Sequence, residues 1–290
     1  MGSLLRALAR ALVIVLLVIL GSTLLVRWAP GYLSDAREMD AQYSGVVRAE
    51  LAAESARSRS VTQMIANELV GWAHGDAGVS RQFGIPVLQL LRPRLAVTAG
   101  LLLRSIALAW SLALCASLIA ATRQRPGVLW QAPATLLLAV PTAAMATLCL
   151  LTGSGGPVLV MALLLAARDF KFLHRILRQA WFEPHLLHAR AQGIPARRLL
   201  AVHVAPAMLT QLAPLAGLSI VTALSALVPV EVLFDVPGLG QLAWNAALNR
   251  DLPVLLAATM IMALGVTLAG MLAGGQDAQS QVQQELWRSA

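Results

Sequence analysis

A chain of 290 residues with 58% hydrophobic and only 12% charged residues departs from an ordinary soluble domain, in which about a quarter of residues are charged. Its apolar residues gather into runs near the length of a bilayer crossing, which a soluble core does not require, so the class is an all-α membrane protein. The formal charge of +8 rests almost wholly on arginines between those runs, which suits loops facing anionic lipid and a protein partner rather than nucleic acid.

Arg6 and Arg10 precede an apolar stretch from Ala11 to Val26. Arg27-Trp28-Ala29-Pro30 follows without a small-x-small cleavage site, so residues 1–27 read as an uncleaved first transmembrane helix rather than a signal peptide. Residues 28–94 carry mixed charge and no run of membrane length. Leu51, Val61, Ile65 and Leu69 recur near helical spacing, which predicts an extracytoplasmic segment with short amphipathic helices.

A five-helix core is expected over residues 95–275. The second span lies between Leu95 and Thr122, and Arg104 stands either inside it, lining a pore, or at its outer edge if the span begins at Ser105. The interfacial placement is the favoured one. The third span is Ala132 to Leu151, with Pro133 at its start and a kink at Pro141. A neutral glycine turn leads to a fourth helix from Pro157. Its apolar character stops at Arg168-Asp169, and it continues into the cytoplasm through Lys171, His174, Arg175 and Arg178. A basic cytoplasmic loop spans residues 180–206. The fifth span covers Leu209 to Leu233, the sixth Leu252 to Ala273, and residues 276–290 form a polar cytoplasmic tail. The short loops on one side hold nearly all the arginines. The positive-inside rule therefore places both termini in the cytoplasm with about six spans.

Several chemistries are excluded directly. Lys171 is the only lysine and follows Phe170, so the chain has no Walker-type phosphate loop and cannot hydrolyse ATP by that route. Neither His-Glu-x-x-His nor Gly-x-Ser-x-Gly occurs. His185 and His188 lie near Glu183 without further ligands and read as solvated residues, so no metal site and no cofactor are expected. Cys115 and Cys149 sit in apolar runs and read as small hydrophobes. A secondary transporter or channel would need intramembrane charges, for which Arg104 is the only candidate.

The segment His188-Ala189-Arg190-Ala191-Gln192-Gly193-Ile194-Pro195-Ala196-Arg197-Arg198 reads as a short helix, a glycine turn and a basic helix start. Gly193 permits a left-handed or tightly turned backbone, and Pro195 suits the first turn of a helix. The segment resembles the coupling-loop signature of binding-protein-dependent ABC permeases. Ala189 and Gly193 match the third and seventh positions of Glu-Ala-Ala-x-x-x-Gly, and Pro206 matches the terminal proline of Ile-x-Leu-Pro. Leu187, His188, His203 and Ala205 depart from the signature.

Three other stretches resemble the dipeptide, oligopeptide and nickel branch of that family. Val230 to Leu242 is similar to its Glu-x-x-Phe-x-x-Pro-Gly-Leu-Gly segment through Glu231, Phe234, Pro237, Gly238 and Gly240. Arg250-Asp251-Leu252-Pro253 resembles its Arg-Asp-x-Pro, and Gly75-Asp76-Ala77-Gly78-Val79-Ser80 its Gly-Asp-Leu-Gly-x-Ser. Two departures are the five-residue connection after the third span and the absence of the Asp-Pro-Arg ending.

The resemblance implies a type I importer permease of the bacterial inner membrane that does no covalent chemistry. It implies a second permease subunit in a heterodimer, two ATP-binding subunits and an extracytoplasmic substrate-binding protein, with a peptide or similar small solute as cargo. Glu183, His188, Ala189, Arg190, Ala191, Gly193 and Pro206 would then receive the ATPase stroke. Glu231, Phe234, Pro237, Gly238 and Gly240 would belong to an outer gate or docking surface.

Overall fold

The structure, a computed structural model, describes residues 77–122, 127–181, 192–199, 205–249 and 251–289, together with single helical positions including Leu17, Leu20, Gly71 and His188. The expected first span and most of the extracytoplasmic segment lie outside the described residues.

The described residues are mostly helical, joined by short turns, with one isolated antiparallel bridge between Val79 and Pro86. In chain order the helices are α1 (Val87–Thr122), α2 (Gly127–Ala139), α3 (Thr142–Thr152), α4 (Pro157–Trp181), α5 (Ala196–Leu199), α6 (Ala205–Leu233), α7 (Leu239–Leu248) and α8 (Leu252–Ser289). Two compact units result. One joins Met1–Arg94 with Leu242–Leu264, the other Leu95–Gln241 with Gly265–Ala290.

Three stretches among the described residues are long and apolar enough to cross a bilayer: Val87–Ala120, Gln211–Leu233 and Leu252–Ala273. At 36 residues, α1 is about 54 Å long and overshoots a hydrocarbon layer of about 30 Å. It begins eight residues earlier than the expected start at Leu95. The polar stretch around Arg92 and Arg94 joins the helix because a helix can run on into the headgroup region.

The third apolar run differs from expectation. Instead of one kinked helix it forms α2 and α3, bent by 93° at a break. Pro141 lies at φ −58°, ψ 140°, outside the helical region, and acts as the N-cap of α3. A residue before proline is pushed towards extended conformations, so Val140 ends α2 as Pro141 opens α3. Pro133, expected at the start of the run, lies inside α2.

At its far end α3 closes with Gly153 at φ 62°, whose N–H reaches Leu150 O while Ser154 N reaches Cys149 O. This left-handed glycine satisfies carbonyls that would otherwise be orphaned in an apolar setting.

In the larger unit α4 packs against α2, α3 and α6. Gly156 O accepts from Leu159 N and Val160 N, and Pro157 occupies the first turn, where a missing N–H costs nothing. Val160, Met161, Leu165, Leu173 and Leu177 are buried to 1% exposure or less. Gly217 of α6 lies so close to α8 that a Cβ would stand 2.4 Å from Ala269 O. The α8 backbone remains helical to Ser289, so the expected polar tail continues the last helix.

Candidate functional site

The Glu231–Gly240 stretch is a compact turn between α6 and α7. The last turn of α6 closes with Asp235 N on Val232 O at 3.4 Å and Val236 N on Glu231 O at 2.9 Å. Asp235 sits between them at φ 51°, a left-handed conformation that aspartate tolerates better than most residues. Its carboxylate accepts from Gln241 Nε2 at 2.5 Å, which fixes the turn from the other side.

Glu231 does two jobs here. Its carbonyl closes α6, and its carboxylate, fully buried, caps α7. Oε2 accepts from Gly240 N at 2.7 Å and Gln241 N at 3.2 Å, while Oε1 accepts from Thr98 Oγ1 at 2.7 Å. Thr98 Oγ1 accepts in turn from Leu239 N at 2.8 Å. The first three N–H groups of α7 are therefore all satisfied, with a carboxylate at the positive end of the helix.

The glycines follow from this closeness. A Cβ at Gly238 would stand 2.0 Å from Glu231 Oε1, and one at Gly240 would stand 3.0 Å from Val228 Cα. Gly238 and Gly240 are buried, whereas Phe234 is half-buried and Pro237 exposed on the outside of the turn. The structure thus brings Glu231, Gly238 and Gly240 together and leaves Phe234 and Pro237 out of the hydrogen-bonded centre.

A second polar centre lies in the smaller unit. Asp251, 1% exposed, immediately precedes α8 and accepts at its carboxylate from Ser80 Oγ, from Arg81 N at 3.2 Å and from Gln82 N at 3.2 Å. Ser80 Oγ accepts from Phe83 N at 3.0 Å, and Gly78 at φ 76° turns the chain beside Pro253. Two motifs separated by 171 positions are therefore one structure. Asparagine at 251 would offer one acceptor oxygen where the carboxylate offers two. Asp251→Asn is expected to lose at least one of these bonds, costing about 1–3 kcal/mol. A lowered melting temperature in detergent checks this, with Gly270→Ala, where no atom lies within 4 Å of the Cβ position, as the unchanged control.

The basic segment is described only in part. His188 is helical and exposed, and its Nε2 lies 3.0 Å from Gln192 Nε2. Gly193 has φ 80°, the left-handed one of the two backbone conformations left open by the sequence. Arg198 N and Leu199 N close on Pro195 O at 2.9 and 3.2 Å, so Pro195 does open the α5 turn. Ile194 and Leu199 anchor the turn in a cluster with Ala120, Phe170, Leu173, Ile176, Leu177 and Leu215. Glu183, Ala189, Arg190 and Ala191 lie outside the described residues, and Pro206 stands in the first turn of α6.

Arg104 lies within α1, exposed, with its Nε on Gly100 O at 2.9 Å. Thr98 holds one of these centres and is not singled out in the sequence, while Ser80 and Asp169 are named there without their partners. Thr98 is a lone hydroxyl in an apolar run, and nothing local marks its partner. Asp169, expected where α4 leaves the membrane, is instead fully buried among helices.

Three apolar helices long enough to cross a bilayer, with a further apolar run broken at Pro141, make this a multi-pass membrane protein. Residues 113–278, more than half of the chain, match the family described as binding-protein-dependent transport system inner membrane component, and the chain belongs to that family. It is 32% identical over 108 residues to the metal-staphylopine import system permease protein CntB of Staphylococcus aureus, covering 37% of this chain and 34% of that one. It is 33% identical over 119 residues to the oligopeptide transport system permease protein OppB of Escherichia coli, covering 38% of each chain. It is also 32% identical over 120 residues to AppB of Bacillus subtilis, another oligopeptide transport system permease protein, covering 40% of this chain and 38% of that one. The matched stretch thus spans little more than a third of the length of these relatives.

Proposed function

We propose that this chain is the membrane-spanning permease subunit of an ATP-driven importer in the bacterial inner membrane, carrying peptides or similar small solutes. One of two unlike permease subunits, it lines the translocation path. It is driven by two separate ATP-binding subunits through the loop of residues 180–206 and receives cargo from an extracytoplasmic binding protein. The observation that carries this reading is the family match over residues 113–278, which contains both the Gly193 turn and the Glu231 turn. The left-handed Gly193, anchored by Ile194 and Leu199, supports a rigid docking element at the cytoplasmic end of α4. The oligopeptide relatives support the peptide cargo. Co-purification of ATP-binding subunits with the tagged chain, and ATP-dependent uptake of a labelled tripeptide by the reconstituted complex, test it. Failure of both would sink the proposal.

Six spans with both termini cytoplasmic place the Gly153–Gly156 turn and α7 outside, and Gln192 inside. Gly155 is unsuitable as a labelling position, because its φ is 92° and a Cβ would meet Leu159 at 2.8 Å. Ser154→Cys and Asn245→Cys, made without Cys115 and Cys149, are expected to react with an impermeant thiol reagent from outside. Gln192→Cys is expected to stay protected, and its labelling would reverse the orientation.

Arg104 marks the outer interface rather than the pore in this reading. The 18 residues from Ser105 to Thr122 nearly span the hydrocarbon by themselves, at about 27 Å. Arg104→Gln is therefore expected to leave uptake within about twofold, since a hydrated charge at an interface costs little to remove. A severe uptake defect in normally inserted protein would favour a pore-lining arginine.

A further inference from the structure

Inside the larger unit, three helices meet at a polar contact that the gating and docking segments do not include. Asp169 of α4 is fully buried, and Ser219 Oγ of α6 lies 2.9 and 3.0 Å from its two carboxylate oxygens. Trp110 Nε1 of α1 donates to the same Ser219 oxygen at 3.2 Å. Beside it, Arg168 Nη1 reaches Leu218 O at 3.4 Å, so α4 and α6 are joined at two neighbouring points.

Position gives the contact its meaning. The basic segment leaves the end of α4 and returns at the start of α6. Asp169 lies about 18 Å before that end and Ser219 about 21 Å after that start, so the contact sits level on both arms. Leu173, Ile176, Leu177 and Leu215 fill the space between the arms, and Ile194 and Leu199 of the segment join the same cluster. Apolar burial alone would hold the arms together, but it is non-directional and lets helices slide. A buried carboxylate is costly in such a place, and what its directional bonds add is a fixed register.

We propose that Asp169, Ser219 and Trp110 are positioning residues that make α4, α6 and the basic segment one rigid lever and deliver its movement to α1. The proposal rests on the coupling role given to the segment above. Its experiment uses the assembled complex in nanodiscs, without Cys115 and Cys149, with spin labels at Gln192→Cys on the segment and Leu112→Cys on the exposed side of α1. The wild-type distance distribution is expected to be narrow and equal with and without ATP plus vanadate. Ser219→Ala removes the shared hydroxyl, and there the distribution is expected to broaden or shift by about one helical turn, roughly 5 Å. Tri-alanine uptake per ATP hydrolysed falls roughly tenfold, the size of an ordinary coupling energy. Ser219→Thr, which keeps the hydroxyl, restores both readouts, which a loss of packing alone would not predict. If Ser219→Ala does not assemble, Trp110→Phe removes the indole donor together with part of the ring, keeps an aromatic side chain against the cluster, and is read by the same criteria. A wild-type distance that changes with nucleotide, or a variant with normal distance and normal uptake per ATP, overturns the lever. A wild-type complex without ATP hydrolysis would count against the transport reading instead, and the nucleotide-free distances would still decide the lever.

Discussion

Gly238→Ala is expected to lower the melting temperature in detergent sharply and to reduce the amount of folded protein. The added Cβ would stand 2.0 Å from Glu231 Oε1, 2.2 Å from Cδ and 2.4 Å from Oε2, all well inside contact distance. A glutamate end is ordinarily free to swing away, but this one is held by Thr98, Gly240 and Gln241 and has no exposed surface. Displacing it breaks bonds to a charged acceptor worth about 1.5–3 kcal/mol each and leaves N–H groups of α7 without a partner. Glu231→Ala removes the same cap without any clash. The double variant Glu231→Ala/Gly238→Ala should then be no worse than Glu231→Ala alone, because the steric cost disappears with the carboxylate. Additive losses would show that Gly238 matters for some other reason. Gly270→Ala is the control, since no atom lies within 4 Å of its Cβ position.

Gly193→Val is expected to leave the protein inserted in the membrane while abolishing ATP-dependent uptake and weakening recovery of the ATP-binding subunits. Nothing lies within 4 Å of a Cβ at this position, so the effect is not a clash with neighbours. It comes from the backbone, because φ 80° is poorly accessible to a side chain branched at Cβ and costs roughly 1–2 kcal/mol or more. Relief of that strain turns the chain elsewhere and pulls Ile194 and Leu199 from the cluster that anchors them. The order of severity follows from the same argument: valine worst, alanine intermediate, and asparagine mildest because it tolerates the left-handed region. A change at Gln279, far along α8, serves as the unaffected control. Normal uptake with normal ATP-subunit recovery in Gly193→Val would reduce the segment to a connecting loop.

Both predictions start from glycines visible in the sequence, yet they were legible to different degrees. Gly193 could be read locally, since a glycine between a helical stretch and an Ile-Pro pair signals a left-handed or tight turn before a helix start. Gly238 could be singled out as part of a motif, but the atom it makes room for could not. Glu231 is seven positions away along the chain, and its third donor, Thr98, is 133 positions away.

The sequence by itself determined what depends on neighbours in the chain. Long apolar runs had to be helices, because a backbone in lipid must satisfy its own hydrogen bonds, and α1, α6 and α8 contain the expected spans. The lack of any phosphate-loop lysine ruled out a Walker-type ATPase within the chain. Tertiary structure decided what depends on distant partners. Pro93, Pro133, Pro214 and Pro229 stay inside helices while Pro141 ends one, although the same ring is present at each. Ser80 finds Asp251 across 171 positions, and Asp169, expected where α4 leaves the membrane, becomes a buried partner of Ser219. Periodicity and turn chemistry act over a few residues, whereas the burial that selects a carboxylate's partners is settled only when helices far apart in the chain come to lie side by side.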